Sequence, residues 1–459
     1  MKNNMDQIDF NFSRPLDFQR NLKINLFKNL YKPFLKDKSK YLQIKHYNFL
    51  LLELFCCWHE SKDQFLTISM SKRGYKAKSR YNPNSISSYL INVVKKLEKE
   101  SLIEYFPGFY DAKKNISRQT RIRASEHLIK EFKNKKFVHT NLINNKHREF
   151  VFLRDLSKNT IEYEDTFQTH EIREIMKNYN LLLEKTLFDI PNLEKKFLVR
   201  GDGRKILISD MNSTSNINFV ETIDKIKSFS GAWWKKIDLH LTKQNIDYFC
   251  INNSQTNYID LSCFFESFLE KNFNKNFDFF RRNRSPFFKN NDQLNYFIIK
   301  GIQSKNFNGF FRSFLNDQYK LGFEKKINKK KFELLASNFL DKNSVFKELF
   351  FKNIDLGWQE FVDNVFFKLI KKFSPAEIPI FQIKDKVFFS DSVNNIVIEE
   401  VENIFQKLFN LKRINFSIGK CYDFNSKRNF FNKLLIKEKV SERYVERNKE
   451  YLNIKENKG

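Results

Sequence analysis

Residues 245–271 place a carboxylate at the point where a predicted core strand meets a helix. The pattern predicts a β-hairpin with strands at 248–251 and 258–261, a polar turn between them, and an apolar helix directly afterwards. Asp260 lies at the joint between the second strand and the helix, flanked by two apolar residues. An acid there is costly to bury unless it is paired, hydrogen-bonded or bound to a metal. Asp260 therefore either caps the helix or takes part in chemistry.

The length and the charge predict a multidomain protein with a polyanionic partner. The chain has 459 residues, more than one ordinary core holds, and its 41% hydrophobic residues suffice for buried cores. The net charge of +28 favours nucleic acid as the partner. An AT-rich gene would also produce a Lys- and Asn-rich chain with only 11 Gly and 8 Pro. We therefore give clustered arginines and aromatics more weight than the total charge.

The sequence predicts a soluble, cytoplasmic protein without a membrane partner. The five cysteines form no CxxC pair, which fits a reduced compartment. The N-terminus lacks a signal-peptide pattern, and the apolar run at 47–58 is interrupted by Glu53 and too short to span a bilayer. The scattered histidines match no zinc spacing, and no P-loop or GxGxxG motif occurs.

The first third has the element order of a winged helix–turn–helix. Residues 46–59 are apolar at helical spacing, and a second helix is predicted with Ser85 as its N-cap. The apolar stripe of that second helix consists of Ile86, Leu90, Val93, Val94 and Leu97. A short strand at 102–105, a Pro-Gly turn and a basic strand at 116–123 follow. The order predicts a helix for the major groove and a basic wing beside it.

Basic and aromatic side chains cluster around these predicted elements. The predicted nucleic-acid-binding residues are Arg73, Arg80, Tyr81, Arg118, Arg121 and Arg123. Double-stranded DNA or a primer–template is the predicted partner. A winged helix that contacts protein, or basic residues that only keep a surface soluble, is the alternative.

The middle and the C-terminal half contain two short signatures. Residues 229–234 read Phe-Ser-Gly-Ala-Trp-Trp, and 260–262 read Asp-Leu-Ser before an apolar helix. A basic winged helix followed by these segments resembles a group of poorly characterised proteins of bacteria and their mobile elements. The C-terminal half of those proteins resembles the palm of family A DNA polymerases. In that family motif A ends a palm strand as D-Y-S, and motif C is a strand–turn–strand with His-Asp.

The resemblance implies a two-metal site for nucleotidyl transfer. Residues 380–389 read IFQIKDKVFF and match motif C, with Asp385 in the place of its aspartate. Asp260 and Asp385 would then be the catalytic residues and the ligands of Mg²⁺, which prefers carboxylate oxygens. Lys300, in a predicted helix at 294–301, would hold the phosphates of the incoming nucleotide.

Several positions depart from the family pattern. These are Leu261 for the motif A aromatic, Phe265 for an acid, Lys384 for the motif C histidine, and Tyr296 where an arginine is expected. One hypothesis is therefore a divergent DNA-dependent nucleotidyltransferase. The other is a replication-initiator-like or regulatory DNA-binding protein whose palm is an inactive scaffold.

Taken together, the sequence predicts an α+β protein with an N-terminal winged helix and a palm-like antiparallel sheet packed with helices. The predicted divisions are a basic leader (1–40), a winged helix (41–130), a linker with a connecting strand and helix (131–195), a palm-like domain with a compact helical insertion (196–430) and a basic C-terminal helix or tail (431–459).

Overall fold

The structure is a computed structural model. It describes residues 8–23, 27–35, 40–113, 116–134, 147–200, 203–208, 217–223, 227–237, 249–273, 291–317, 327–352, 355–410, 418–420 and 440–456. Each predicted division of the chain falls partly outside these ranges, including residues 135–146 of the linker and 431–439 of the C-terminal tail, and so does the first residue of the hairpin strand predicted at 248–251.

The strands and helices of the described residues are as follows. The strands are β1 Ser13–Pro15, β2 Phe65–Ile68, β3 Ile103–Phe106, β4 Phe109–Asp111, β5 Ile116–Arg118, β6 Thr120–Ala124, β7 Val151–Arg154, β8 Thr160–Ile161, β9 Phe188–Asp189, β10 Phe197–Val199, β11 Lys205–Leu207, β12 Ile217–Thr222, β13 Lys227–Gly231, β14 Cys250–Ile251, β15 Ser254–Asp260, β16 Ile380–Ile383, β17 Lys386–Ser390 and β18 Ile418–Lys420. The α-helices are α1 Lys28–Tyr31, α2 Lys40–Glu60, α3 Leu90–Lys99, α4 Glu126–Lys133, α5 Phe167–Glu184, α6 Phe265–Phe273, α7 Asn291–Gln303, α8 Phe307–Asp317, α9 Lys329–Lys342, α10 Ser344–Lys347, α11 Asp355–Phe373, α12 Asn394–Phe409 and α13 Glu442–Glu456.

The N-terminal unit packs α2 and α3 against a sheet in the order β1-β2-β6-β3. Strands β2, β6 and β3 are antiparallel, and β1 adds to the edge in parallel with β2. Helix α2 is apolar on most of its circumference and is buried between the sheet and α1, as expected for a helix without a polar face. The predicted leader belongs to this unit, because β1 is part of its sheet and Phe27 and Tyr31 lie in its core.

Helix α3 has the amphipathic pattern that the sequence predicts. Its buried residues are Leu90, Val93, Val94 and Leu97, which lie on one stripe at i, i+3, i+4 and i+7. The predicted N-cap is wrong. Ser85 has a left-handed backbone (φ 50°) five residues before the helix, and Tyr89 takes the N-cap position without a side-chain hydrogen bond.

The predicted wing is a long hairpin that bends at its middle. The lower half pairs β3 with β6, and the upper half pairs β4 with β5 only. Gly108 lies at the bend, where a Cβ atom would come within 2.6 Å of the Arg118 carbonyl oxygen and 2.8 Å of the Thr120 nitrogen. A side chain at this position would push the two backbones apart, so glycine permits the bend. The basic strand predicted at 116–123 is accordingly divided at Gln119.

A second sheet, in the order β13-β12-β7-β8, lies at the start of the larger core. Strand β12 pairs in parallel with β7 and antiparallel with β13. Helix α11 packs on β13, with the rings of Phe366 and Phe229 meeting edge to face at 5.5 Å. Helix α5 packs on the same sheet and reaches the third one, where the Tyr179 hydroxyl donates to the Ile380 carbonyl. Residues of the predicted connecting segment therefore form part of this core.

The third sheet is antiparallel, in the order β16-β17-β15-β14-β9, with β18 also paired to β15. Trp233 and Trp234 are buried beneath it against the rings of Phe188 and Phe381. Asn252 and Asn253 both have positive φ and close a two-residue turn between β14 and β15. Strand β15 therefore begins at Ser254, earlier than the predicted strand at 258–261.

The α+β class with antiparallel sheets agrees with the prediction from the sequence. Along the chain, helix α11 precedes the β16–β17 hairpin and helix α12 follows it. Of the helices that the structure describes, none combines the length and the apolar character that crossing a membrane requires.

Candidate carboxylate site and nucleic-acid surface

Asp260 ends strand β15 and caps the short 3-10 helix Leu261–Phe264 that follows it. Its Oδ1 accepts hydrogen bonds from the Ser262 backbone N–H at 3.0 Å and from the Ser262 hydroxyl at 2.5 Å. These contacts satisfy a backbone donor that has no acceptor within the first helical turn. One carboxylate oxygen therefore has the capping role that the sequence allows.

Lys386 lies beside Asp260 on the neighbouring strand β17, and its ammonium group pairs with the second oxygen of the Asp260 carboxylate. The pairing of β15 with β17 sets the two residues directly opposite each other. Lys386 Nζ lies 2.5 Å from Asp260 Oδ2 and 4.1 Å from the ring centre of Tyr258. Burial raises the pKa of the Asp260 carboxyl, but the Lys386 ammonium and the Ser262 donors outweigh it, so the pKa lies below its usual value. Asp260 is therefore ionised and paired at neutral pH.

Asp385 lies in the turn between β16 and β17, next to Asp260. Its carbonyl oxygen accepts a hydrogen bond of 2.7 Å from the Leu261 backbone N–H. Lys384, the other turn residue, is exposed and has a left-handed backbone with φ 55°. The structure thus brings the two predicted catalytic residues to the same end of adjacent strands, and it adds a lysine on each side of Asp385.

A buried polar cluster behind this turn was not predicted from the sequence. Lys235 Nζ donates to Gln382 Oε1 at 2.9 Å and lies 3.5 Å from Asp363 Oδ1. The Gln382 amide donates to Asp363 at 2.8 Å and to the Lys384 carbonyl at 3.1 Å. Burial lowers the pKa of Lys235, and Asp363 partly opposes the effect. The cluster fixes the turn that carries Asp385. The sequence signal for this cluster was one polar residue in each of two apolar elements, Gln382 in strand β16 and Asp363 in helix α11.

The Mg²⁺ prediction depends on whether Lys386 can be displaced. In the part of the chain that the structure describes, no group of three or more His, Cys, Asp or Glu side chains could hold a metal ion. Both oxygens of Asp260 already accept from protein donors, one from Ser262 and one from Lys386. An ion at Asp260 would have to compete with an ammonium group for the same oxygen.

Lys300, the predicted nucleotide-binding residue, is half-buried on helix α7. This helix packs against α8, and its Gly301 lies against the ring of Phe350, where a Cβ atom would be only 2.2 Å from a ring carbon. The close helix packing explains the glycine. The role of Lys300 stays a prediction.

The three wing arginines all make contacts within the protein. Arg123 forms an ion pair with Glu104 at 2.7 Å. Arg121 donates to the carbonyls of Phe10 and Gln119, both at 3.1 Å. Arg118 lies over the ring of Phe10, with its Cζ 3.9 Å from the ring centre. The charge of Arg123 is therefore neutralised by Glu104, while Arg121 and Arg118 contribute positive charge at the surface of the wing.

Arg80 and Tyr81 connect the N-terminal unit to the larger core. Arg80 lies 2.9 Å from Asp165 and stacks on Tyr163 with its Cζ 3.6 Å from the ring centre. The ring of Tyr81 stacks on Phe152 at 4.7 Å, and its hydroxyl donates to the Ile161 carbonyl at 2.9 Å. These groups are engaged inside the protein, so we do not include the two residues in the proposed nucleic-acid surface.

The loop before α3 carries the remaining predicted residue. Arg73 is exposed, and so are its neighbours Lys72, Lys76 and Lys78. Lys76 Nζ donates to the Thr160 carbonyl at 3.5 Å. Lys72, Arg73 and Lys78 are therefore the cations of this loop that are best suited to contact phosphate.

Comparison of the chain with protein-family models, with curated proteins and with solved structures yields no match.

Proposed function

We propose that this protein binds nucleic acid through its N-terminal unit and that its palm-like sheet is a non-catalytic scaffold. The ion pair of Lys386 with Asp260 is the observation that carries the second part. The carboxylate that the resemblance makes a metal ligand holds an ammonium group instead. A replication-initiator-like or regulatory role fits such a protein.

The element order of the N-terminal unit supports a winged helix. Helix α2, strand β2, helix α3 and the hairpin β3–β6 follow one another along the chain, and the sheet order is β2-β6-β3. In a winged helix the second helix enters the major groove and the hairpin forms the wing. The exposed basic loop at 72–78 precedes α3, so helix, loop and wing offer three places of contact with one duplex.

The strand order of the third sheet supports a palm-like scaffold. Strands β18, β15, β17 and β16 are adjacent in that order, and each neighbouring pair is antiparallel. Helices connect β15 to β16 and β17 to β18, which gives the split β-α-β arrangement. This fold alone does not imply catalysis, because the same arrangement supports many functions.

Charge is the physical argument against two-metal catalysis. Two Mg²⁺ ions need several carboxylate oxygens in one place to offset their charge. Lys386 contributes a positive charge at the Asp260 oxygen, and Lys384 adds another in the same turn. A cation next to a cation site weakens ion binding by Coulomb repulsion, most strongly where solvent is limited. Asp385 alone would then have to hold both ions.

Neutralising the exposed loop cations is expected to reduce the salt dependence of DNA binding. The variant Lys72→Gln/Arg73→Gln/Lys78→Gln removes three charges, each worth about 0.9 units of the log–log slope per phosphate contact. We expect the slope to fall by about two to three units, measured by fluorescence anisotropy with a duplex probe from low to moderate salt.

The matched control removes three lysines of the first turn of α9 in the larger core. Lys329, Lys330 and Lys331 are exposed, and their replacement by Gln gives the same change in net charge. We expect this variant to keep the wild-type slope. Equal loss in both variants would mean that only total charge matters and that the N-terminal unit is not the binding surface.

A second candidate function is template-directed nucleotidyl transfer. The hydrogen bond from Leu261 N–H to the Asp385 carbonyl favours it, because this contact sets both acids at one end of the sheet. In this case Mg²⁺ would displace Lys386 from Asp260, and Asp260 and Asp385 would bind the ions.

Mg²⁺ titration distinguishes the two candidates. If the palm is a scaffold, wild type and Asp260→Ala/Asp385→Ala should bind Mg²⁺ with equal weakness in calorimetry, and wild type should not extend a primer. Lys386→Met should then bind Mg²⁺ more tightly than wild type, on the order of tenfold, since the competing ammonium is gone. Mg²⁺-dependent primer extension by wild type that Asp260→Asn abolishes would contradict the scaffold proposal.

A further inference from the structure

The outer half of the wing exposes an unusual amount of apolar surface. Tyr110 is 71% exposed, and Phe109 and Ile116 are each 50% exposed. Isolated apolar residues at a surface are common, but three large ones on a single short hairpin are not. Among the described residues, none of the three belongs to either of the two large buried cores. Core packing therefore does not explain their exposure, and we call the three together the apolar patch.

The hairpin presents this surface on both of its faces. Among the strands that the structure describes, β4 and β5 pair with each other and with no third strand. Phe109 lies opposite Arg118, and Tyr110 lies opposite Ser117. Because successive side chains of a strand point to opposite faces, Phe109 and Tyr110 project in opposite directions. The hairpin thus has an aromatic ring on each side.

A stack of planar groups leads from the core of the N-terminal unit to this hairpin. Phe10 packs on Phe65 and Phe106 at ring-centre distances of 5.5 and 5.2 Å. The Arg118 guanidinium lies on Phe10 at 3.9 Å and reaches the ring of Phe109 at 5.2 Å.

Arg118 is held in this stack by a hydrogen bond. Its Nη2 donates to the Pro107 carbonyl at 3.2 Å, which restricts the movement of the guanidinium beside the two rings. The outer face of Phe109 is the open end of the stack. Another planar group would continue the series there with little loss of side-chain freedom.

Charge indicates which planar group the hairpin accepts. Residues 107–124 contain five basic residues and one acid, so the aromatic surface lies in a positive field. An unpaired nucleotide combines a planar base with a phosphate, and base–aromatic stacking is a general mode of binding single strands. Paired bases inside a duplex do not expose their faces, whereas bases at a junction or in a melted stretch do.

We propose that Phe109 and Tyr110 at the end of the wing stack on unpaired bases, so that the preferred ligand is a duplex joined to a single strand. The inference rests on the proposed nucleic-acid binding and deepens it. The loop at 72–78 and helix α3 would hold the duplex, while the wing takes the adjoining unpaired bases. Such a preference suits a protein that acts where a duplex is opened.

The test compares binding of a blunt duplex with binding of the same duplex carrying a single-stranded arm. Phe109→Ala/Tyr110→Ala should lose affinity for the forked probe, on the order of tenfold for each ring removed, and should bind the blunt duplex as wild type does. A 2-aminopurine placed in the arm next to the junction should show a fluorescence change with wild type that the variant lacks.

Two further variants separate stacking from damage to the fold. Phe109→Tyr/Tyr110→Phe keeps both rings and should retain the fork preference. Phe167→Ala removes a ring that is 87% exposed at the start of α5 in the larger core, and it should behave as wild type. Thermal unfolding of each variant checks that the substitutions leave the folded unit intact.

Each contrary result has a separate meaning. Unchanged fork affinity in the double alanine variant, or equal losses on fork and blunt duplex, would overturn the stacking inference. A change from dimer to monomer in the variant would also overturn it, because the patch would then be an interface between copies of this chain. If wild type binds neither probe in a salt-sensitive manner, the proposed function itself fails.

Discussion

Replacing Glu53 by alanine is expected to destabilise the N-terminal unit by about 3–5 kcal/mol, a large part of the stability of an ordinary domain. Glu53 is fully buried in helix α2, between two arginines that are also buried. Its carboxylate accepts from Arg14 Nη1 at 2.8 Å, from the Arg20 guanidinium and from the Asp17 backbone N–H at 2.9 Å. Removal of this one acid would take a bonded carboxylate away from two buried guanidinium groups.

The pKa of Arg14 indicates that the Glu53 carboxylate helps to offset the unfavourable burial of this guanidinium. Burial lowers the pKa of this guanidinium, but the neighbouring acidic groups, first among them the Glu53 carboxylate, together raise it by more, so the pKa lies above its usual value. Without Glu53 the largest effect that opposes burial would be lost. The alanine variant must therefore rearrange to expose the arginines, and strand β1, which carries Arg14, would leave the edge of the sheet.

Urea unfolding followed by the fluorescence of Trp58 would measure the loss, because this residue lies on the same helix. Glu100→Ala is the matched control, since Glu100 forms an exposed ion pair with Lys96 one helical turn away. We expect the control to unfold at nearly the wild-type midpoint. A Glu53→Ala protein with an unchanged midpoint would show that the arginines do not depend on this acid.

Glu53 illustrates which part of the fold the sequence could predict. The apolar run at 47–58 predicted a helix, and Glu53 was visible only as an interruption of it. Its partners lie 33 and 39 positions earlier, in a segment without a regular pattern. Local periodicity predicts helices and strands, but it does not indicate which distant charges meet in a core.

The same limit applies to the candidate site. The end of the strand at Asp260 followed from the apolar pattern and its turn, whereas the pairing of Asp260 with Asp385 in the segment 380–389 came from the resemblance to the polymerase palm. The partner of Asp260 could not be predicted. Lys386 meets Asp260 only in one register of β15 and β17, and a shift by one residue would turn its side chain to the other face. Arg80 was likewise predicted from the sequence to bind nucleic acid. Its acidic partner Asp165 could be identified only from the structure.

The second large effect is expected from Asp189→Ala, which should release helix α13 from the third sheet. Asp189 is fully buried on β9, and its two oxygens accept from Arg443 at 2.9 and 3.0 Å and from Arg447. Both arginines belong to helix α13, which lies more than 250 residues further along the chain. The alanine variant would keep two cations in a site built around one acid, at a cost of about 3–5 kcal/mol.

Other contacts of helix α13 near Asp189 indicate that the substitution would release this helix alone. Tyr444 of the helix packs against Leu187 and Cys250, and the Arg443 side chain also donates to the carbonyls of Ile190 and Leu193. These contacts, and those of Asn253 with Tyr444 and Asn448, involve β9 with the residues on either side of it, β14 and the turn after β14. The two units of the protein should therefore stay folded when α13 opens, because their cores do not include it.

Hydrogen exchange followed by mass spectrometry would measure the opening directly. Backbone amides of Glu442–Glu456 should exchange faster in Asp189→Ala than in wild type, on the order of a hundredfold or more for a local loss of 3 kcal/mol. Amides of helix α2 in the N-terminal unit should keep their rates. Glu174→Ala is the matched control, because it removes an acid whose partner Lys177 is exposed on the same helix. Unchanged exchange of α13 in Asp189→Ala would contradict the prediction, since it would mean that apolar packing around Tyr444 holds the helix without the buried ion pairs.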